Sequence, residues 1–352
     1  MRALVAAVAL AGMFASPAWA APKDATLVMA FKADAPTLDP HTDSSQLTYQ
    51  FARWVMQPLM HRTPEGKLVP YLAKSARWVD SKTLEFDLRP GVKFSNGEDA
   101  DAEAVKYSLR RIFDPALKSR QSDRMRVLRE KDSVEAVSKY RVRLHLAYPD
   151  GGFLNRLANS GLIVPPKYYA SHDPKYLAAR PVGSGPYLLK EWVRDDHALY
   201  EANPTFYDPQ YPKVKRVLAK IIPEDGARVA ALVKGEVDVI FDVPPPMFDR
   251  INQSGKARVV SKPGIRIFRL GFYSLWGGAL ADRRVREAVA RSIDRAILRK
   301  SVLQGAAVEV TQIFHPLIMD GYLSPEEYPY PYGYDPAKAK KLLAEAGYPN
   351  GI

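Results

Sequence analysis

Alternating apolar strands and striped helices follow one another through most of this 352-residue chain, and that succession predicts an α/β fold. Three stretches carry the prediction. Over 83–112, Leu84, Phe86 and Leu88 alternate with Glu85, Asp87 and Arg89, the period of a half-buried strand. Pro90-Gly91 turns the chain, Val92 and Phe94 resume the apolar face as a second strand, and Asn96-Gly97 is a strong turn signal. A helix then follows, capped by Asp99 or Asp101, with Val105, Leu109 and Ile112 on one stripe. The second stretch, 188–240, reads as strands at 188–193, 197–201 and 214–222, a helix at 227–233 closed by Gly235, and a strand at 236–240. In the third, Val285, Ala288, Val289, Ser292 and Ile293 keep helical spacing behind an Asp282 cap. A later helix has Pro336 at its first position and Gly347 past its end.

Taken in order, the chain opens on an export signal. Arg2 precedes an apolar run over 3–15, and Ala18-Trp19-Ala20 is a small-residue cleavage site; Gly12, Ser16 and Pro17 argue against a buried helix. Cleavage after Ala20 leaves ample chain for two or more lobes, and no later run reaches membrane-spanning length. Cysteine is absent, which excludes disulfides, thiolate metal sites and the lipid-modified cysteine of a tethered receptor. A freely diffusing periplasmic protein, not a lipoprotein, is the expectation. The formal net charge of +12 is spread widely, with concentrations at Lys213, Lys215, Arg216 and Lys220 and along Arg283–Lys300. Such runs are solvated faces, and export argues against a nucleic-acid partner.

A strand over 26–31 leads through Pro36 and Pro40 into the loop His41-Thr42-Asp43-Ser44-Ser45-Gln46. A helix is predicted over 47–60, with Phe51, Trp54, Val55 and Leu59 on its core side. Residues 133–146 read as a hairpin, and 153–164 as a helix followed by a short strand. Gly183 and Gly185 flank Ser184 in a turn that permits close backbone approach; neither phosphate-loop motif is completed around them. Residues 266–272 read as a further strand, and Asp294 opens a helix ending at Gly305. The six histidines, His41, His61, His145, His172, His197 and His315, lack metal-site spacing, and no G-x-S-x-G elbow surrounds a serine. No catalytic residue, metal ligand or cofactor is therefore assigned.

Several motifs, in order, resemble the family 5 extracellular solute-binding proteins, the dipeptide, oligopeptide and nickel-chelate receptors of ABC importers. They are the 83–112 unit, Ala35 to Pro40, Val69 to Trp78, Val182-Gly183-Ser184-Gly185-Pro186-Tyr187, Asn203 to Tyr207, Gly235-Glu236-Val237-Asp238, Asp282 to Arg295, and Tyr334 to Gly347. The resemblance implies a periplasmic binding protein type II-like, two-lobed fold with mixed sheets. Its expected parts are a first-lobe main subdomain from 21–65 and 181–265, an inserted subdomain at 66–180, and a partial second lobe over 266–352. The resemblance also implies a monomer that binds a small solute, a short peptide or similar organic molecule, and hands it to an ABC importer's membrane permease. Asp43, Ser44, Ser45, Gly183 and Ser184 are the expected ligand-facing residues of the first wall. A nickel-chelate ligand is the alternative within the family, but Ser122 and Met125 stand where that branch places an Arg and a Trp. From another class, an exported hydrolase or a polypeptide-holding protein would fit export without transport. For the family, 350–352 falls in mid-lobe, which implies a fragment or shortened reading frame with apolar faces such as Leu342, Leu343 and Ala346 left open.

Overall fold

A computed structural model describes residues 26–261, 267–312, 323 and 326–352. The expected signal segment and its cleavage site, Arg266 and His315 lie outside the described residues. The chain begins with β1 (Thr26–Phe31) and reaches α1 (Gln46–Ala52) through the loop holding Asp39, His41 and Asp43. Short strands β2 (Gln57–Pro58), β3 (Met60–Arg62) and β4 (Leu68–Pro70) lead to β5 (Ala73–Trp78) and β6 (Thr83–Leu88). After α2 (Ala102–Arg111) come the hairpin β7 (Val134–Ser138) and β8 (Arg141–His145), then α3 (Phe153–Ser160), β9 (Leu162–Ile163), α4 (Pro166–Ser171) and α5 (Pro174–Leu177). The chain returns through β10 (Tyr187–Val193), β11 (His197–Ala202), β12 (Arg216–Ile221), α6 (Asp225–Lys234), β13 (Val239–Ile240) and α7 (Phe248–Gln253). Its last part holds α8 (Arg283–Ser292), α9 (Arg295–Ile297) and α10 (Pro336–Glu345).

Two sheets organise these elements, so the fold is α/β with mixed pairing. The first has the order β10-β11-β12-β1-β13; β1 runs parallel to β12 and β13, while β10, β11 and β12 pair antiparallel. A strand from the start of the chain is thus sandwiched between strands nearly two hundred residues later. The second sheet, β5-β6-β8-β7, is antiparallel throughout. Each has its own core. Phe31, Leu38, Tyr49, Phe51, Val55, Met56, Tyr200 and Val217 pack under the first sheet, and Leu84, Phe86, Phe94, Val105, Leu109, Val142, Leu144 and Phe153 under the second. Asp101 caps α2 by accepting from the amide of Ala104, and the predicted stripe of Val105, Leu109 and Ile112 is buried.

Three expectations need correction. The helix expected over 47–60 stops at Ala52, because the carbonyls beyond it are taken by other partners: Trp54 O accepts from Tyr187 N at 3.0 Å and Val55 O from Gly185 N at 2.7 Å. Pro58 then pairs with Leu162 as a strand, a role a helix could not give it. The second strand expected at Val92 and Phe94 reduces to a single bridge between Lys93 and Asp99 across the Asn96-Gly97 turn. Over 267–272 no strand forms: the segment pairs with no edge, and Phe268 and Leu270 stand exposed. Beyond it, α8 and α10 pack together through Val285, Ala288 and Ala339, with Asp335 N donating to Arg291 O at 2.9 Å and Arg284 Nη1 to Glu345 O at 2.7 Å.

Candidate functional site

In sheets with parallel strands, ligands gather outside the carboxyl ends, where crossovers leave the sheet. Here that edge is formed by the ends of β1, β12 and β13. Arg228 of α6 is almost wholly buried and holds the edge together, its Nη1 donating to Ile222 O at 2.8 Å and Pro223 O at 2.9 Å, its Nη2 reaching Asp225 and Asp242 O. Phe31 stacks on Phe241 with ring centroids 4.9 Å apart, which locks the end of β1 against that of β13. The N-terminus of α6 opens onto the same edge, capped by Glu224; hydrogen bonds from Gly226 and Ala227 hold the Glu224 carboxyl below its ordinary value.

Beyond β1 the chain is pinned by Asp34. Its Oδ1 accepts from Trp192 Nε1 at 3.0 Å and from Ala35 N at 2.7 Å, and its Oδ2 from Asp195 N at 3.0 Å. Arg194 lies over the Trp192 ring at 4.7 Å and donates to Ala35 O. Lys32 and Asp242 are also at this edge, both exposed. Among the described residues neither the Lys32 ammonium nor the Asp242 carboxylate has a hydrogen-bond or ion-pair partner.

The loop expected to face ligand is built on a buried ion pair. Asp39 takes two hydrogen bonds from Arg111, at 2.8 and 2.7 Å, and Arg111 stacks over Tyr169 at 5.0 Å. His41 Nδ1 lies 3.2 Å from Arg111 Nη1 and its Nε2 lies 2.9 Å from Leu162 O. Arg111 can only donate, so Nδ1 accepts and Nε2 carries the proton. Burial, aided by the Arg111 charge, pushes His41 down to about 4, so it is neutral near pH 7. Next along the loop, Asp43 Oδ2 accepts from Ser45 N at 2.9 Å and Thr48 Oγ1 at 2.8 Å. Burial pushes the Asp43 carboxyl upward, but these hydrogen bonds outweigh it and leave the group below its ordinary value. Ser45 caps α1, its Oγ accepting from Thr48 N. Ser44 is half-buried, and among the described residues its hydroxyl has no hydrogen-bond partner.

Gly183 and Ser184 sit at the other end of α1. A Cβ on Gly183 would lie 2.2 Å from Val55 O, so only glycine fits against that backbone. Ser184 is 1% exposed and donates to Gln57 Oε1 at 3.0 Å. The two groups of expected site residues are therefore separated by the length of α1, roughly 10 Å at 1.5 Å per residue. Asp34, Trp192, Arg194, Arg228 and the exposed Lys32 and Asp242 were not singled out from sequence. Their clustering depends on β1 inserting between β12 and β13, a pairing that no local pattern announces. Among the described residues no group of three or more His, Asp or Glu side chains could hold a metal ion, and no helix is long and apolar enough to cross a membrane.

With this geometry in place, residues 67–352 match the family model described as bacterial extracellular solute-binding proteins, family 5. The chain is 31% identical over 352 residues to the glutathione-binding protein GsiB of Pectobacterium atrosepticum, covering all of this chain and 66% of that protein. Its identity to GsiB of Escherichia coli K12 is 30% over 350 residues, again 66% of the relative. The chain thus spans just under two thirds of the length of these relatives. Among solved structures, it is similar to the periplasmic binding protein DppA of Helicobacter pylori in complex with the peptide STSA (TM-score 0.75, 24% identity, 93% of this chain and 67% of that one). It is also similar to NikA of Brucella suis in complex with Fe(III)-EDTA (TM-score 0.73, 27% identity, 92% and 64%).

Proposed function

The chain belongs to the bacterial extracellular solute-binding proteins of family 5, and from that premise we propose that it acts as the exported, periplasmic receptor of an ABC importer. In this reading it is cleaved after Ala20, works as a monomer, captures a short peptide or comparable organic solute and presents it to a membrane permease. The observation that carries the reading is the match of this chain, over 66% of the relative's length, to a glutathione-binding protein, which makes a tripeptide-sized solute the first ligand to try. The carboxyl edge of β1, β12 and β13, with Asp43, Ser44 and Ser45 on the loop leaving β1, forms the first wall of the cleft. Gly183 and Ser184 shape that wall from behind by fixing the chain at 54–57. The main subdomain is 21–65 with 181–265, the inserted one 66–180, and 266–352 belongs to a second lobe.

A nickel-chelate ligand draws less support. Met125 is fully buried and the Ser122 hydroxyl donates to Ser119 O at 3.0 Å, so neither side chain offers a platform to a chelate. Thermal unfolding of the chain with glutathione, trialanine and a nickel-histidine chelate tests the reading. Any ligand bound only by the folded state stabilises it by about 2.7 kcal/mol at a hundredfold excess over Kd. A raised melting temperature with a tripeptide and none with the chelate is expected; no shift with any of the three would overturn the receptor reading.

A further inference from the structure

Around Asp43 the loop after β1 holds polar groups that the fold itself does not use. The loop is stitched to the segment at 119–122: Arg120 N donates to Thr42 O at 3.4 Å, Ser119 Oγ to His41 O, and Gln121 Nε2 to Asp43 O at 2.7 Å. Asp43 is fixed through its Oδ2, which takes Ser45 N and Thr48 Oγ1, and its side chain is only 12% exposed. Its Oδ1 accepts no hydrogen bond among the described residues. Arg120 Nη1 stands 4.0 Å from that Oδ1, beyond hydrogen-bond reach, and the Arg120 side chain is 78% exposed with no hydrogen bond of its own among the described residues. Gln121 behind them is fully buried. Asp43 O can only accept, so the amide nitrogen of Gln121 faces it and Oε1 is left as a buried acceptor without a partner. A buried acceptor left unmet costs free energy, and a donor supplied by a solute removes that cost. The open pair adds a shape to this requirement. Asp43 cannot leave its place without giving up Ser45 N and Thr48, whereas the long Arg120 side chain is free to turn. A carboxylate and a guanidinium this close, neither hydrogen-bonded to the other, match a group whose own ammonium and carboxylate sit on one carbon. An ordinary peptide carries those two charges at opposite ends and engages only one of the pair.

We infer that Asp43 and Arg120 form a subsite for a free α-amino acid head, Asp43 Oδ1 taking the ammonium and the Arg120 fork taking the carboxylate on the same carbon. The preferred solute is then one joined to the rest of its structure through a side chain, as in a γ-glutamyl peptide, and not through its α-carboxyl group. This rests on the receptor reading above and adds to it which end of the solute is read and by which residues. Both contacts are charge-assisted, and the Arg–carboxylate contact is of the two-pronged kind that fixes orientation. The test is calorimetric titration of the chain with glutathione, its α-linked isomer and N-acetylglutathione, which share the same three residues. Each of the last two lacks one half of the head, and the unaltered chain is expected to bind them about tenfold or more weakly than glutathione, the effect of one hydrogen bond between charged groups. Arg120→Gln should abolish the discrimination against the α-linked isomer, while Arg120→Lys retains part of it through its charge. Asp43→Asn keeps an oxygen for Ser45 N and Thr48 but sets an NH2 in place of Oδ1, and should abolish the discrimination against the N-acetyl form. Arg120 is exposed, so its variants should unfold at the unaltered temperature and decide the matter even if Asp43→Asn proves unstable. If the unaltered chain binds glutathione and its α-linked isomer equally, or if the ratio survives in Arg120→Gln, the inference is overturned and the receptor reading stands. If glutathione does not bind but trialanine or the chelate does, the inference again falls alone; if nothing binds, the receptor reading falls with it.

Discussion

The part of the chain up to α7 and the part after 267 solve the same problem in different ways. In the first, large side chains such as Tyr49, Phe86, Phe94, Phe153 and Tyr200 are buried in cores assembled from residues far apart in sequence. In the second, Val285, Ala288 and Ala339 are buried, while Leu275 is 98% and Trp276 82% exposed. Yet α8 and α10 form where the sequence places them and α9 starts there, though it spans only Arg295–Ile297 of the helix expected up to Gly305; each stands behind its aspartate cap, Asp282, Asp335 and Asp294. A helix satisfies its backbone within itself and needs only local signals to start and stop, whereas a strand must borrow a neighbour's hydrogen bonds. That is why 267–272, strand-like in pattern, remains unpaired.

The comparison sharpens into predictions of decreasing size. In the first part the buried Asp39–Arg111 pair ties the loop after β1 to α2. Asp39→Ala would leave Arg111 buried and uncompensated, and urea unfolding should register a loss of about 3–5 kcal/mol. An unchanged midpoint would mean the loop after β1 and α2 hold together without this link.

Acid should act on the same junction through His41, which titrates near 4 in the folded chain against an ordinary 6.5. Below pH 6.5 the unfolded state gains a proton that the folded state refuses, so this contribution is complete above 6.5 and is lost as pH falls towards 4. The loss amounts to about 3 kcal/mol at 1.36 kcal/mol per unit of pKa. Unfolding free energies measured between pH 7 and 4 should therefore fall more steeply for the unaltered chain than for His41→Asn. Parallel slopes would remove His41 from the account.

Glycines separate the regions at finer scale. Gly183→Ala must displace the Val55 backbone and should cost about 1–3 kcal/mol. Gly333→Ala, with open space around it, should fall within about 0.5 kcal/mol of neutral. Equal effects at the two positions would contradict the packing described for the 183–185 turn.

The same contrast explains what the sequence made legible. Local devices could be read directly: the Asp101 cap and stripe of α2, the 133–146 hairpin, the Gly235 stop of α6, and Asp335-Pro336 at the head of α10. The stop at Ala52 could not, because it depends on Gly185 and Tyr187 capturing the carbonyls of Val55 and Trp54 from more than a hundred residues away. For the candidate site the loop at 41–46 was visible through its prolines and small polar residues. The roles of Asp43 in bonding Thr48 and of Ser184 in bonding Gln57 are tertiary and left no periodic trace.

Native-state hydrogen exchange across the described residues tests the central contrast most directly, since it reports the opening free energy of each hydrogen-bonded amide. The amides of β1, β12, β6 and β8 should exchange only through global unfolding, and those of α8 and α10 through local opening at markedly lower free energy. Protection in α8 and α10 equal to that of β1 and β6 would contradict the account and place both regions in one cooperative unit.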